Sequence, residues 1–215
     1  MSKTFDINKP DRMTAYLDHA ADGTVLKEST SKEGRKSVYI NNKDGSRDDI
    51  IILSKDGKTP IKQIYMADDR NTGLFTAPEG TNINKALTAY SEANQRKDPE
   101  LKPIIKPSSN SSGDPVVKLH LEKTKFFTAD KKPIEPTDIQ TPCSFDKYAI
   151  QIYKYSVTPA HGKTPYLVLK KAYLAADQST IGKCTSKTDN VNLDTSDEDE
   201  EPPAKKTKTA SSAVA

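Results

Sequence analysis

Tyr153, Lys154 and Tyr155 are consecutive within residues 148–157, and Lys170, Lys171 and Tyr173 close the run 165–174 that returns from it. Phenol rings and ammonium groups at this spacing make no nucleophile–base pair, so their chemistry is non-covalent. An exposed ring accepts a planar base on its face while a neighbouring lysine holds a phosphate, and each stack is worth about 1–3 kcal/mol whatever the base. Period-two alternation turns Ile150 and Ile152 inward and places Gln151, Tyr153 and Tyr155 on the opposite face. The competing use of these rings is to cover the second face of a barrel with their hydroxyls outward. Lys118, Lys123 and Lys125 form a second basic group, beside Phe126 and Phe127, although paired phenylalanines commonly build core. Phosphate contacts are therefore expected from Lys118, Lys123, Lys125, Lys154, Lys170 and Lys171, and stacking on Tyr153, Tyr155 and Tyr173.

Covalent chemistry finds less support. His19, His120 and His161 are far apart, and none has a cysteine or carboxylate at metal-ligand spacing. There is no glycine-rich phosphate loop and no G-x-S-x-G elbow. A hydrolase or nuclease assembled from scattered carboxylates is the enzymatic alternative. The reading is of a binding protein that needs no cofactor or metal.

The charge distribution points the same way. Of the 33 Lys+Arg and 30 Asp+Glu, three lysines and seven acids fall after residue 188, so residues 1–188 carry a balance of +7. Asp194-Thr195-Ser196-Asp197-Glu198-Asp199-Glu200-Glu201 is a polyanion, followed by Pro202-Pro203-Ala204-Lys205-Lys206-Thr207-Lys208. A basic body carrying its own polyanion is suited to a polyanionic ligand and has a competitor for it built in.

The elements that must position these residues are mostly strands. Hydrophobic content of 33% against 29% charged residues and 14 prolines predicts one modest core with long loops. No apolar run approaches the ~20 residues of a membrane helix, the first residues show no hydrophobic signal region, and Cys143 and Cys184 are not in a C-x-x-C pair. A soluble protein of a reducing compartment, with no membrane partner, is expected.

Residues 1–34 read as a flexible N-terminal segment with a helical turn near residues 11–19. Residues 35–177 read as the folded domain and 178–215 as a disordered tail. Runs at 38–40, 49–53 and 61–66, separated by Asp44-Gly45 and Asp56-Gly57, predict an antiparallel meander. Asn82 then caps a short helix whose Ile83, Leu87 and Tyr90 recur at helical spacing. Residues 98–115, with four prolines and a Ser/Asn/Gly stretch, read as an exposed loop. Residues 116–121 alternate, with Val117, Leu119 and Leu121 on one face and Lys118 and His120 on the other. A mainly β, OB-like antiparallel barrel with one inserted short helix fits this inventory, because closure removes the edges of a short meander. A β-sandwich is the alternative.

The strand at 116–121, a long connection, Tyr155-Ser156-Val157-Thr158-Pro159, the turn at Gly162, Leu167-Val168-Leu169-Lys170-Lys171 and the acidic tail together resemble the single-stranded DNA-binding proteins of podophages. Similar replication proteins occur in large DNA viruses of eukaryotes. The resemblance covers about residues 115–201 by pattern, and 37–114 only by the order of elements. It implies an OB fold with an inserted helix, sequence-independent binding of single-stranded DNA in viral replication, and an acidic tail that competes with DNA and docks replication proteins. Two features depart from that pattern. The chain given ends Ala213-Val214-Ala215 where such tails commonly carry a terminal aromatic, and a basic cluster follows the acids.

Lys205, Lys206 and Lys208 on a proline-flanked segment resemble an import signal read by a receptor. They imply a nuclear location or a viral replication compartment in the host nucleus or cytoplasm. A nuclear acidic chaperone of the nucleoplasmin type, binding histones through its tail, is the main alternative function. The +7 body argues against it. A capsid protein is a third.

Overall fold

A computed structural model describes residues 3–20, 24–107 and 113–176. In chain order the elements are β1 (Lys3–Asp6), α1 (Pro10–Ala20), β2 (Thr24–Thr30), β3 (Lys36–Asn42), β4 (Ile50–Ser54), β5 (Ile61–Met66), β6 (Thr72–Thr76) and α2 (Asn82–Gln95). There follow β7 (Val116–His120), β8 (Lys125–Phe127), β9 (Pro133–Ile134), a 3-10 turn at Pro136–Asp138, β10 (Cys143–Thr158) and β11 (Gly162–Leu174).

Five strands close a barrel in the order β10, β5, β6, β7, β11 and back to β10. Every pairing in the ring is antiparallel except β7 with β11. This is the OB-like barrel expected, and closure is possible because β10 pairs along both edges. One edge takes β11 along its length. The other takes β5 at Cys143 and Phe145, β4 at residues 148–152 and β3 at residues 155–157, one after another.

That arrangement replaces the meander. The Asp44-Gly45 turn forms as read, with Gly45 at φ +83° and the Asp44 carboxylate accepting from the Ser46 N–H at 2.8 Å. Yet β3, β4 and β5 pair with β10 rather than with each other, since one long strand satisfies the backbone groups of three short ones in succession. Inside the barrel, β6 comes close enough to its neighbours that a Cβ on Gly73 would meet Leu121 at 3.2 Å and Ile64 at 3.3 Å.

The folded part begins earlier than expected. β1 pairs in parallel with β4, β2 pairs with β3, and Ile7 after β1 joins Met13 and Leu17 of α1 in the same core as the barrel. Lys3 and Tyr16 both bond the buried Asp48 carboxylate, Lys3 at 2.6 Å and Tyr16 at 2.9 Å, and Lys3 also bonds the Tyr16 hydroxyl. A polar composition concealed this segment because its apolar residues are few and its anchor is polar, the part-exposed Lys3 and Tyr16 meeting the buried Asp48 carboxylate.

There are accordingly two helices among the described residues, not one. α2 is capped by Thr81, whose hydroxyl accepts from the Asn84 N–H, one residue before the expected cap. Its buried stripe contains Ile83, Leu87 and Tyr90 as the spacing required.

Residues 98–107 are also no open loop. Leu101 and Ile104 are buried, Lys102 donates to the Lys163 carbonyl at 2.9 Å, and Lys106 exchanges both backbone bonds with Val116. Residues 108–112 and the tail from 177 onward, with its acidic run and Lys205, Lys206 and Lys208, lie outside the described residues.

Candidate nucleic-acid interface

Three irregularities in the β10–β11 ladder decide which side chains face outward. Register shifts occur between Phe145 and Lys147, between Ala149 and Ile150, and between Ile152 and Lys154. The last leaves Tyr153 as an extra residue on β10, because Ile152 pairs with Leu167 and Lys154 with the adjacent Tyr166. An extra residue inverts the alternation beyond it. Ile150 and Ile152 are buried as read, but past the bulge Tyr155 turns inward and Lys154 outward.

Tyr155 is therefore corrected from a stacking ring to a core residue, 0% exposed. Its hydroxyl lies beside Asn94 without a hydrogen bond of normal geometry, and burial raises its pKa well above the ordinary tyrosine range. Tyr148 is buried too, with its pKa raised for the same reason. Tyr153 marks the bulge, and the placement of its side chain lies outside what the structure describes.

Lys154 occupies the centre of the outer face. Its ammonium donates to the Ser37 hydroxyl at 2.9 Å and lies 5.7 Å from the Tyr39 ring centroid and 5.4 Å from that of Tyr166. The Arg47 guanidinium also sits against Tyr39, 4.3 Å from the ring centroid. Tyr166 stacks on His120, with centroids 3.6 Å apart and 15° between planes. His120 is in register with Thr72 of β6, and the adjacent outward position on β7, Lys118, is in register with Leu74, itself paired with Tyr65. A band of alternating rings and cations thus crosses β3, β10, β11 and β7.

Lys118 joins this band, half-buried. A second group forms farther along β11. Tyr173 stacks on Phe127 at 5.0 Å and 23°, and the Lys171 ammonium lies 4.8 Å and 5.0 Å from the centroids of Phe127 and Tyr173. Lys125 is the register partner of Lys171. Lys170, the extra residue of a bulge in β11, is exposed, as is Lys123 in the turn before β8. Phe126 is buried in the core while Phe127 turns outward, so the paired phenylalanines divide between the two readings.

Tyr39, Arg47, His120 and Tyr166 lie on this surface and were absent from the contact residues expected there, whereas the sequence already sets Phe127 beside the second basic group. Alternation had placed His120 outward with Lys118, a usable signal. Tyr39 and Arg47 gave none, since their nearness to Lys154 depends on β3 pairing with β10, more than a hundred residues away.

The turn joining β10 to β11 is fixed from outside the barrel. Lys163 bonds Asp98 at 2.7 Å and Glu100 at 2.9 Å, with Glu28 at 3.5 Å. The bond to Asp98, then that to Glu100, holds the Lys163 pKa above its ordinary value, and the same lysine lowers that of Asp98. Among the described residues no group of three or more His, Cys, Asp and Glu is placed to hold a metal ion, and no helix is long and apolar enough to cross a membrane.

Fold and surface together define an OB-like barrel with an aromatic and basic outer face. No protein-family model and no curated protein sequence matches the chain. Among solved structures it is similar to the single-stranded DNA-binding protein of bacteriophage Enc34, with 15% identity over 80% of this chain and 98% of that one at a TM-score of 0.42. A C-terminally truncated form of that protein matches with 12% identity over 69% of this chain and 94% of that one, also at 0.42. The single-stranded DNA-binding protein gp2.5 of bacteriophage T7 matches with 16% identity over 75% and 98%, at 0.33. At these identities and scores the likeness adds nothing to the strand pairing that defines the barrel.

Proposed function

We propose that this protein binds single-stranded DNA without regard to base sequence, on the outer face of β3, β10, β11 and β7. The observation that carries this is the Tyr39–Lys154–Tyr166–His120 band, where the Lys154 ammonium lies within 6 Å of two ring centroids and one ring pair is already stacked. Bases that leave a duplex stack can extend such a column while lysines neutralise phosphates, and neither contact reads sequence. A duplex hides its base faces, so single strands are preferred.

The run from Asp194 to Glu201 supports the further reading that the tail competes with DNA for this face and docks replication proteins. Lys205, Lys206 and Lys208 support import through a receptor, and with it activity in the nucleus or in a viral replication compartment. Binding of a fluorescent oligonucleotide against duplex of equal length, at two salt concentrations, tests the first reading. Comparing the full chain with one ending at Ala176 tests the second. Single-strand preference, a steep salt slope and tighter binding by the shortened chain are expected. Absence of binding by both rejects the proposal and leaves capture of histones or other basic proteins by the acidic tail as the explanation.

A further inference from the structure

The outer face of β11 carries two ring groups rather than one. Tyr166, Val168, Lys171 and Tyr173 share that face, because the extra residue Lys170 shifts the alternation between Leu169 and Ala172, both of which stay buried. From Tyr166 to Tyr173 the strand advances six steps, which at roughly 3.3 Å per residue is about 20 Å. Tyr166 has His120 and Lys154 as neighbours, and Tyr173 has Phe127 and Lys171. The two groups share no side chain.

The second group has its own signature of an anionic ligand. Lys125 and Lys171 are register partners and Lys170 is adjacent. Like charges held on adjacent strands repel one another. None of the three makes an ion pair among the described residues, and all are exposed. An anion laid across this face relieves the repulsion, and the Phe127–Tyr173 stack beside it accepts a base.

We infer that β11 holds two separate base-stacking subsites for one DNA strand, at Tyr166/His120 and at Tyr173/Phe127, and that tight binding requires an oligonucleotide long enough to occupy both. This rests on the single-strand reading above. At about 3.4 Å per nucleotide in a stacked strand the gap is six nucleotides, and an unstacked strand spans it with fewer. Shorter oligonucleotides engage one subsite. Longer ones gain the second at high effective concentration, which produces a step in affinity instead of a gradual rise.

The test is a length series of oligothymidylates, from about two to about twelve nucleotides, titrated against the full chain at fixed salt. Roughly a tenfold or larger step is expected between about four and seven nucleotides. In the Phe127→Ala/Tyr173→Ala double variant, and in Lys171→Gln, which alters only an exposed side chain, the step shrinks or vanishes. A smooth rise with length, or a step that persists in both variants, overturns the two-subsite inference and leaves the single-strand reading standing. Failure of every length to bind overturns that reading and this inference with it.

Discussion

Lys154 and Tyr155 are adjacent in the chain and face opposite sides of β10: the ammonium sits 5.4 Å from the Tyr166 centroid on the outer face, and the phenol is fully buried. The two residues should therefore respond to mutation in separate assays. Tyr155→Ala should cost about 3–5 kcal/mol of stability, whereas Tyr155→Phe should stay within about 1 kcal/mol because the hydroxyl lacks a well-formed bond. DNA affinity of the phenylalanine variant should match wild type; a large loss there would place Tyr155 at the ligand after all.

Tyr166→Ala should weaken binding by about 1–3 kcal/mol with little change in salt dependence. Lys154→Gln should instead lower the slope of log affinity against log salt by about one. Titrations at several salt concentrations separate the two, and identical behaviour of both variants would contradict the division of labour.

Asp48 anchors β1 and α1 through Lys3 and Tyr16. Asp48→Ala leaves an ammonium and a phenol without their shared acceptor and should cost about 2–3 kcal/mol. Hydrogen exchange should show residues 3–20 opening before the barrel. Uniform loss of protection would mean that this segment is part of the same cooperative unit.

Gly73→Ala places a methyl group 3.2–3.3 Å from Leu121 and Ile64. Destabilisation of about 1–3 kcal/mol is expected, more for Gly73→Val, by denaturant unfolding. A neutral alanine variant would show that the barrel can expand at this point.

The Lys163–Asp98 pair sets a pH window. Asp98 has its pKa lowered from 3.8, so its contribution is present above that value and lost as pH falls through the lower folded one. Lys163 has its pKa raised from 10.5, so its contribution is present below that value and lost as pH rises through the higher folded one. The stability advantage of wild type over Asp98→Asn should be flat between these limits and fade at both ends, which thermal unfolding across pH measures.

The sequence by itself determined the strands at residues 38–40, 50–53, 61–66, 116–120, 148–157 and 165–174 but not β1, β2, β6, β8 or β9, together with the inward faces of residues 117–121 and of Ile150 and Ile152, the apolar stripe of α2 and the chemistry of the surface. These depend on alternation and helical spacing, which are local. It also put Lys118, Lys154, Lys171 and Tyr173 on strands, where the structure leaves none of them in the core, because lysines and tyrosines on a strand are visible wherever the strand goes. Only the tertiary structure decided that Tyr155 is core, since a bulge at Tyr153 inverts parity without leaving any mark in composition. It alone brought Tyr39 and Arg47 to Lys154, through pairing of β3 with β10 across a long stretch of chain. It also turned an expected leading segment into β1, α1 and β2, held by the buried Asp48. Register, bulges and the partners of one long strand are settled by which backbone groups and apolar faces find each other in three dimensions, and that information is not local.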